Sequence, residues 1–311
     1  MALTVVGSIA FDAVRTPLGA RERMLGGSAV HFALAASFFT EVRVVGPVGD
    51  DFGEKELAVL RRRGVDGEDI EHVAGGETFF WRGHYDEDLN TAHTEETRLN
   101  VFADFEPKLS TESREADHLF LANIQPDLQR RVREQCPNVR FAAMDSMNLW
   151  IDIARDSLLA TVASVDAVLL NDAELRMLTG EPNTLRAAQE VLAMGPRVVV
   201  AKQGGYGAAM FTRDGFFALP AYPLERVVDP TGAGDSFAGG FMGVLAAHPD
   251  AQADPELLRS AMAYGTALAS FNVEDFGTER VAALSGEEIA ARVAELEALT
   301  RFSAPAGLTM R

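Results

Sequence analysis

The chain of 311 residues carries 46 Asp+Glu against 28 Lys+Arg, a formal charge of −18 with neutral histidines, and is 47% hydrophobic. That apolar content excludes global disorder, and the length suits one large α/β domain or two smaller ones. An acidic excess of this size repels polyanions, so nucleic acid is not an expected partner. Lys55, Lys108 and Lys202 are the only lysines, and such a surface suits either ordinary solubility or a salty cytoplasm. The single cysteine, Cys136, excludes an intrachain disulfide framework and a CxxC metal or redox site. It reads as a free, semi-buried thiol in a reducing compartment. Residues 1–12 lack a basic region ahead of their apolar stretch, and the longest apolar run, 29–39, is about half the ~20 residues a membrane span needs. The protein is therefore expected to be cytoplasmic, with no membrane contact.

Residues 3–9 are an apolar run ending in small side chains, Gly26 and Gly27 open a small-residue helical stretch through Phe39, and residues 42–48 are apolar again. Residues 54–63 predict a helix closed by Gly64, with Arg61, Arg62 and Arg63 at the negative end of its dipole. Strands are expected at 118–123, 139–145, 167–171 and 197–201, with helices at 127–135, 173–178 and 185–194. Strand and helix alternating in this way imply a mostly parallel sheet covered on both faces.

Two segments break the alternation. Residues 13–25 and 77–105 lack helical periodicity, and TFFWRGHY, DEDLN and TRLNVFADF predict two strands around a polar turn. Together they predict a small β-structure projecting as a lid. A polar tail follows Phe302.

Several chemistries are absent. No lysine follows a glycine, so there is no P-loop; no histidine precedes a glutamate, so HExxH is missing; GxSxG and His-Arg-Asp are missing too. One glycine-rich segment remains, Asp229-Pro230-Thr231-Gly232-Ala233-Gly234-Asp235-Ser236-Phe237. Small residues at Gly232, Ala233 and Gly234 let backbone N–H groups converge at a helix start, where the macrodipole adds positive potential. Asp235 competes with a bound anion there, unless it takes a proton from a hydroxyl attacking that anion. The alternative is a Gly-rich turn with Asp235 as a cap.

The run DPTGAGDSFAGGF resembles the signature of the PfkB carbohydrate kinase family, also called ribokinase-like. The likeness continues in GSIAFD, GGSAVHFALAAS, VGPVGDDFG, NDAE and AKQGGYGA, nearly the whole chain. It implies an α/β, Rossmann-like three-layer ribokinase-type fold with a mostly parallel sheet and a small β-lid. Residues 1–12, 26–76 and 104–311 would form the large domain, and 13–25 and 77–103 the lid. The implied activity is transfer of the γ-phosphoryl group of ATP, with Mg²⁺, to an alcohol of a small sugar. The alternatives are a ribonucleoside kinase of the same family and a non-catalytic nucleotide- or sugar-binding relative.

By the same resemblance Asp235 is the base, and the amides of Gly232, Ala233 and Gly234 hold the charge on the transferred group. Asn171 and Glu174 lie one helical turn apart and serve Mg²⁺ through water, or else form a cap with a solvated Glu. Gly204 and Gly205 let ATP approach the backbone, and Lys202 adds charge near the phosphates or is a surface lysine. Asp229 and Thr231 match positions that bind a monovalent cation such as K⁺, with carbonyls from a loop around Asn272, Asp275 and Gly277, although NVEDFG departs from the usual pattern.

For the acceptor, Asp12 at the end of the first strand would take substrate hydroxyls, with Gly26 and Gly27 beside it; a simple turn residue is the other reading. His31 stands where many sugar kinases of the family carry an asparagine, and cannot reproduce that amide's paired donor and acceptor; it is a substrate residue or a packing residue. In Asp145-Ser146-Met147-Asn148-Leu149-Trp150 the arginine of DxNxRxxLW is missing, which disfavours acidic sugars. Phe79, Phe80, Trp81 and Tyr85 stack a base, seal a homodimer through the lid, or pack the flap.

Overall fold

Branched apolar runs too short for helices become strands, and their grouping decides where the site forms. The computed structural model of the chain describes residues 2–248 and 254–303; the tail beyond 303 lies outside them. Strands β1 (Ala2–Val6), β2 (Ala10–Thr16), β3 (Gly19–Gly26), β4 (Glu41–Val48), β5 (Ile70–His72), β6 (Phe79–Tyr85) and β7 (Ala92–Arg98) occupy the first third. They are followed by β8 (His118–Leu121), β9 (Phe141–Met144), β10 (Ala167–Asn171), β11 (Val198–Lys202), β12 (Ala208–Thr212) and β13 (Phe216–Leu219). Nine of these form one sheet in the order β13-β12-β11-β10-β9-β8-β1-β4-β5, in which every pairing is parallel except β11–β12 and β12–β13, so that β12 alone is reversed.

Alternation of side chains along each strand divides the core into two layers. Leu3, Val5, Phe120, Val198 and Val200 pack on helices Ser28–Ala36, Ala233–Ala247 and Pro255–Asn272. Val6, Leu119, Leu121, Val199 and Ala201 pack on helices Pro126–Gln135, Arg155–Val162, Asp172–Thr179 and Thr184–Met194. The fold is the expected three-layer α/β arrangement with a small β-lid. Cys136 is free and buried, and burial pushes its thiol up to about 11, so it is an inert packing residue.

The lid is a second sheet of order β3-β2-β6-β7. Its edges differ from the expected ones. The run 3–9 is not one strand: β1 stops at Val6, the Ser8 carbonyl turns to accept the Ala29 amide (3.0 Å), and the chain re-enters a ladder as β2 in the other sheet. Asp12 therefore lies on a lid strand and not at the end of the first strand. The lid sheet takes in Ala10 to Gly26 rather than starting at 13. Its last strand is AHTEETR and not the expected TRLNVFADF, whose Asn100–Asp104 stretch is a 3₁₀ turn. Every residue of β7 is exposed, so no apolar alternation marked it. Strands β5, β12 and β13 and helices Pro255–Asn272 and Gly286–Thr300 are further elements that the apolar pattern alone did not single out. Among the described residues no helix is long and apolar enough to cross a membrane.

Candidate active site

The glycine-rich run starts helix Ala233–Ala247, with Gly232 as its N-cap at φ 77. A side chain there would be strained, and its Cβ would fall about 2.3 Å from the His31 ring. The Ala233 amide donates to the Pro230 carbonyl (3.2 Å), and the first intrahelical bond is Ser236 N–H to the Gly232 carbonyl (2.8 Å). Gly234 and Asp235 thus stand in the first turn, where N–H groups lack intrahelical acceptors.

Asp235 is partly accessible. Desolvation of its carboxyl, and then Asp145, push its pKa up to about 8, with Lys202 opposing and Asp12 adding to the rise. It feels both ends of the cleft. On one side Lys202, the last residue of β11, pairs with Asp145 just past β9 (2.6 Å). Its ammonium lies 3.0 Å from the place a Cβ on Gly234 would take. Burial works against the charge on Lys202, but Asp145 and Glu174 outweigh it and hold its pKa above the ordinary value. Asp145 was legible only as part of DSMNLW, with no role attached; the parallel sheet supplies one, since β9 and β11 flank β10 and their C-terminal ends deliver both partners to one edge.

Asn171 and Glu174 form a reciprocal capping box at the start of helix Asp172–Thr179: Asn171 N–H donates to Glu174 Oε2 (2.9 Å) and Glu174 N–H to Asn171 Oδ1 (2.7 Å). Burial, then Asp145, raise the Glu174 pKa. The cap and the crevice reading coexist, because capping engages one oxygen of a carboxylate that has two. Gly204 and Gly205 lie in a 3₁₀ turn directly after β11, and Asn90 at the tip of the lid hairpin comes within 3.0 Å of the Gly204 Cβ direction.

On the other side, buried Asp12 leans against Gly26, where a Cβ would overlap its Oδ2 at 1.9 Å. Burial, then Asp229, push its pKa up to about 7, opposed by the Gly27 amide. His31, also buried, meets Asn272 Oδ1 through Nδ1 (3.0 Å). Asn272 further accepts from Ser236 Oγ (3.0 Å) and donates to the Thr231 carbonyl (2.7 Å).

Side chains of the expected cation loop make internal bonds. Asp229 accepts the amides of Thr231 (2.9 Å) and Gly277 (3.1 Å), the Val273 carbonyl accepts Val228 N–H (2.7 Å), and Asp275 accepts Phe276 N–H (2.8 Å). Asn272 turns its side chain to His31 and Ser236. Two lid residues latch onto the same segment: Thr16 Oγ1 donates to the Val228 carbonyl (2.9 Å), and Thr231 Oγ1 donates to Tyr85 Oη (3.2 Å).

A mostly parallel α/β sheet with helices on both faces and a small β-lid, with a glycine-rich helix start carrying a carboxylate, is the ribokinase-like arrangement. Residues 2–283 match the pfkB family carbohydrate kinase profile, and the chain belongs to that family of ATP-dependent kinases of small sugars and nucleosides. It is 29% identical over 250 residues to a cytidine kinase of Thermococcus kodakarensis, 77% of this chain and 87% of that one. To a nucleoside kinase of Methanothermobacter thermautotrophicus it is 28% identical over 307 residues, 92% and 94% of the two chains. The crystal structure of Methanocaldococcus jannaschii nucleoside kinase superposes with a TM-score of 0.78 at 19% identity, over 94% of this chain and 98% of that one.

Proposed function

We propose that the protein transfers the γ-phosphoryl group of ATP to a hydroxymethyl group of a ribose-type sugar, free or within a nucleoside. The observation that carries this reading is the position of Asp235, coupled to the Lys202–Asp145 pair on one side and to Asp12 on the other. A base between a cationic anion site and a hydroxyl-binding carboxylate is what phosphoryl transfer to an alcohol requires.

Asp12 accepts a hydroxyl of the acceptor and orients it. Asp235 takes the proton of the attacking hydroxyl as its oxygen bonds the γ-phosphorus and the bond to ADP breaks. Lys202 and the first-turn amides oppose the negative charge on the phosphoryl oxygens, and the lid excludes water that would compete as acceptor. Mg²⁺ spreads the phosphate charge when bound. The Glu174 carboxylate, half-buried beside Asp145 and Lys202, fits water-mediated contact with such an ion. A monovalent cation would be held by the lone pairs Asp229 keeps beyond its two amide bonds and by carbonyls of the loop around Asn272, Asp275 and Gly277. Exchanging K⁺ for tetramethylammonium at constant ionic strength tests it: a fall in activity supports the ion, no change removes it.

The nucleoside form is supported by the names of the cytidine kinase and nucleoside kinase relatives, the free-sugar form by fructokinase relatives of similar identity, and Trp81 packs with Tyr85, Val228 and Phe276 beside the glycine-rich segment. Pairing of two copies through the lid belongs to the same reading, since β3 and β7 are open sheet edges. A coupled ADP-release assay over a panel of sugars and nucleosides decides the acceptor. Turnover of a ribonucleoside or ribose, abolished by Asp235→Asn, is expected; no acceptor-dependent ADP release from the whole panel rejects the reading.

A further inference from the structure

One buried amide holds the sheet edge on which the Lys202–Asp145 pair is built. Helix Pro126–Gln135 follows β8 after a short loop and runs back over the sheet, so its first turns lie against the C-terminal ends of β8 and β9. Its inward face is Pro126, Gln129 and Val132, and Gln129 in the middle of that face is 0% exposed. The two N–H groups of Gln129 Nε2 are shared among three carbonyls: Leu121 (3.1 Å), the last residue of β8, Ala122 after it (2.9 Å), and Asp145 (2.9 Å) just past β9. All three can only accept, so the nitrogen of the amide and not its oxygen faces them. Among the described residues Oε1 has no hydrogen-bond partner. Leaving a buried acceptor unpaired is costly, and a leucine of similar volume would avoid it. What this position uses is therefore the nitrogen and its three carbonyls.

Each of the four polar atoms of Asp145 is engaged. Its N–H donates to the Leu121 carbonyl (3.0 Å), its carbonyl accepts from Gln129, its Oδ1 accepts Ser146 N–H (2.7 Å), and its Oδ2 accepts from Lys202 Nζ (2.6 Å). The Lys202 ammonium in turn stands at the glycine-rich helix start, 3.0 Å from the place a Cβ on Gly234 would take. A flexible four-carbon stem holds its charge at one point only when its partner is itself fixed. We infer that Gln129 is a positioning residue for phosphoryl transfer: by pinning the Asp145 main chain to the end of β8, it fixes the carboxylate that aims Lys202 at the first turn of helix Ala233–Ala247. The inference rests on the kinase reading for the use made of Lys202, and on the hydrogen bonds alone for its placement.

Competitive labelling of amines with acetic anhydride, read lysine by lysine by mass spectrometry, reports the placement without any substrate. Lys55 and Lys108 are exposed and serve as internal standards. Only the neutral amine reacts, and Asp145 favours the ammonium, so Lys202 should label about tenfold more slowly than either in the unaltered protein. In Gln129→Leu, which fills the same space without the donors, Lys202 should label about fivefold faster than in the unaltered protein, the loss of one hydrogen bond. In the Asp145→Asn background the same change should add nothing further, and an additive effect there overturns the inference. Val132→Ala, a cavity on the same face of the helix, should lower Tm and leave Lys202 labelling unchanged. Should Gln129→Leu not fold, Gln129→Asn, which keeps the amide and shortens its reach, carries the same expectations. Unchanged Lys202 labelling in a folded Gln129 variant, or equal acceleration by Val132→Ala, also overturns it.

Steady-state kinetics read the consequence for the reaction. Gln129→Leu should lower kcat about tenfold, the loss of one well-placed hydrogen bond to the transferring group, with the acceptor KM unchanged because the Asp12 side of the cleft is untouched. Val132→Ala should change neither. A normal kcat in Gln129→Leu, or a raised acceptor KM in place of the lowered kcat, overturns the positioning role. If the unaltered protein releases no ADP with any acceptor, the kinase reading fails and the role in phosphoryl transfer with it, while the labelling still decides whether Gln129 places Lys202.

Discussion

Asp235 shows how little of a residue's chemistry is in its own side chain. Replacing it with Asn should lower kcat by roughly 10²–10⁴-fold with ATP affinity kept, as measured by turnover alongside nucleotide titration; near-normal turnover removes it as the base. Its carboxyl is raised to about 8 by desolvation and by Asp145. A base must be deprotonated, so kcat/KM should rise with pH up to a limb near 8. In Asp145→Asn, which removes the like charge, that limb should move to lower pH, and an unmoved limb detaches Asp145 from the base. Gly232→Ala combines a φ of 77 with overlap on the His31 ring. It should cost about 1–3 kcal/mol and lower Tm by several degrees in a thermal melt.

At the scale of elements, the lid strand β6 distributes its aromatic residues among different tasks. Phe79 meets Phe102 edge-on, with ring centroids 5.9 Å apart, and packs the flap. Phe80 is buried, with Arg98 4.3 Å above its ring. Trp81 and Tyr85 face Val228 and Phe276. Phe79→Leu should therefore lower Tm and leave KM values unchanged, while Trp81→Leu should raise the acceptor KM several-fold at constant ATP KM. The reverse pattern in steady-state kinetics and melting reassigns both residues. Of the two lid strands in this insertion, β6 was legible from its aromatic alternation, whereas β7 was not, because an edge strand exposed on both faces has no apolar period to read. Asp12 was legible as a site residue, but its strand was misplaced: Gly7 and Ser8 interrupt the ladder while the apolar run continues through them.

For the whole molecule, the site's desolvated acids make stability depend on pH. Asp12 and Asp235 have folded pKa values of about 7 and about 8, both raised from 3.8. The folded state thus binds protons the unfolded chain has already lost, and stability falls as pH rises through these values. His31 and His118, lowered from 6.5 to about 4, act in the opposite sense, but only below pH 6.5. The ligand-free protein should lose stability between pH 6.5 and 8, by at most ~1.4 kcal/mol per pH unit for each proton. Asp235→Asn should flatten the decline; a Tm that rises across this window contradicts the desolvated-acid assignment.

What the sequence determined by itself was local or periodic. Alternating apolar runs imposed a covered, mostly parallel sheet, and Gly232, Ala233, Gly234 and Asp235 marked a candidate anion site with a candidate base, because backbone permissiveness and charge are properties of neighbours in the chain. The tertiary structure alone decided that Asp145 holds Lys202 across 57 positions and that Asn272 orients His31 across 241. It also turned the proposed cation loop inward onto Asp229 and Asn272. These bonds join groups that only the crossing of helices and the order of strands bring within hydrogen-bonding distance, and no spacing along the chain encodes such a distance.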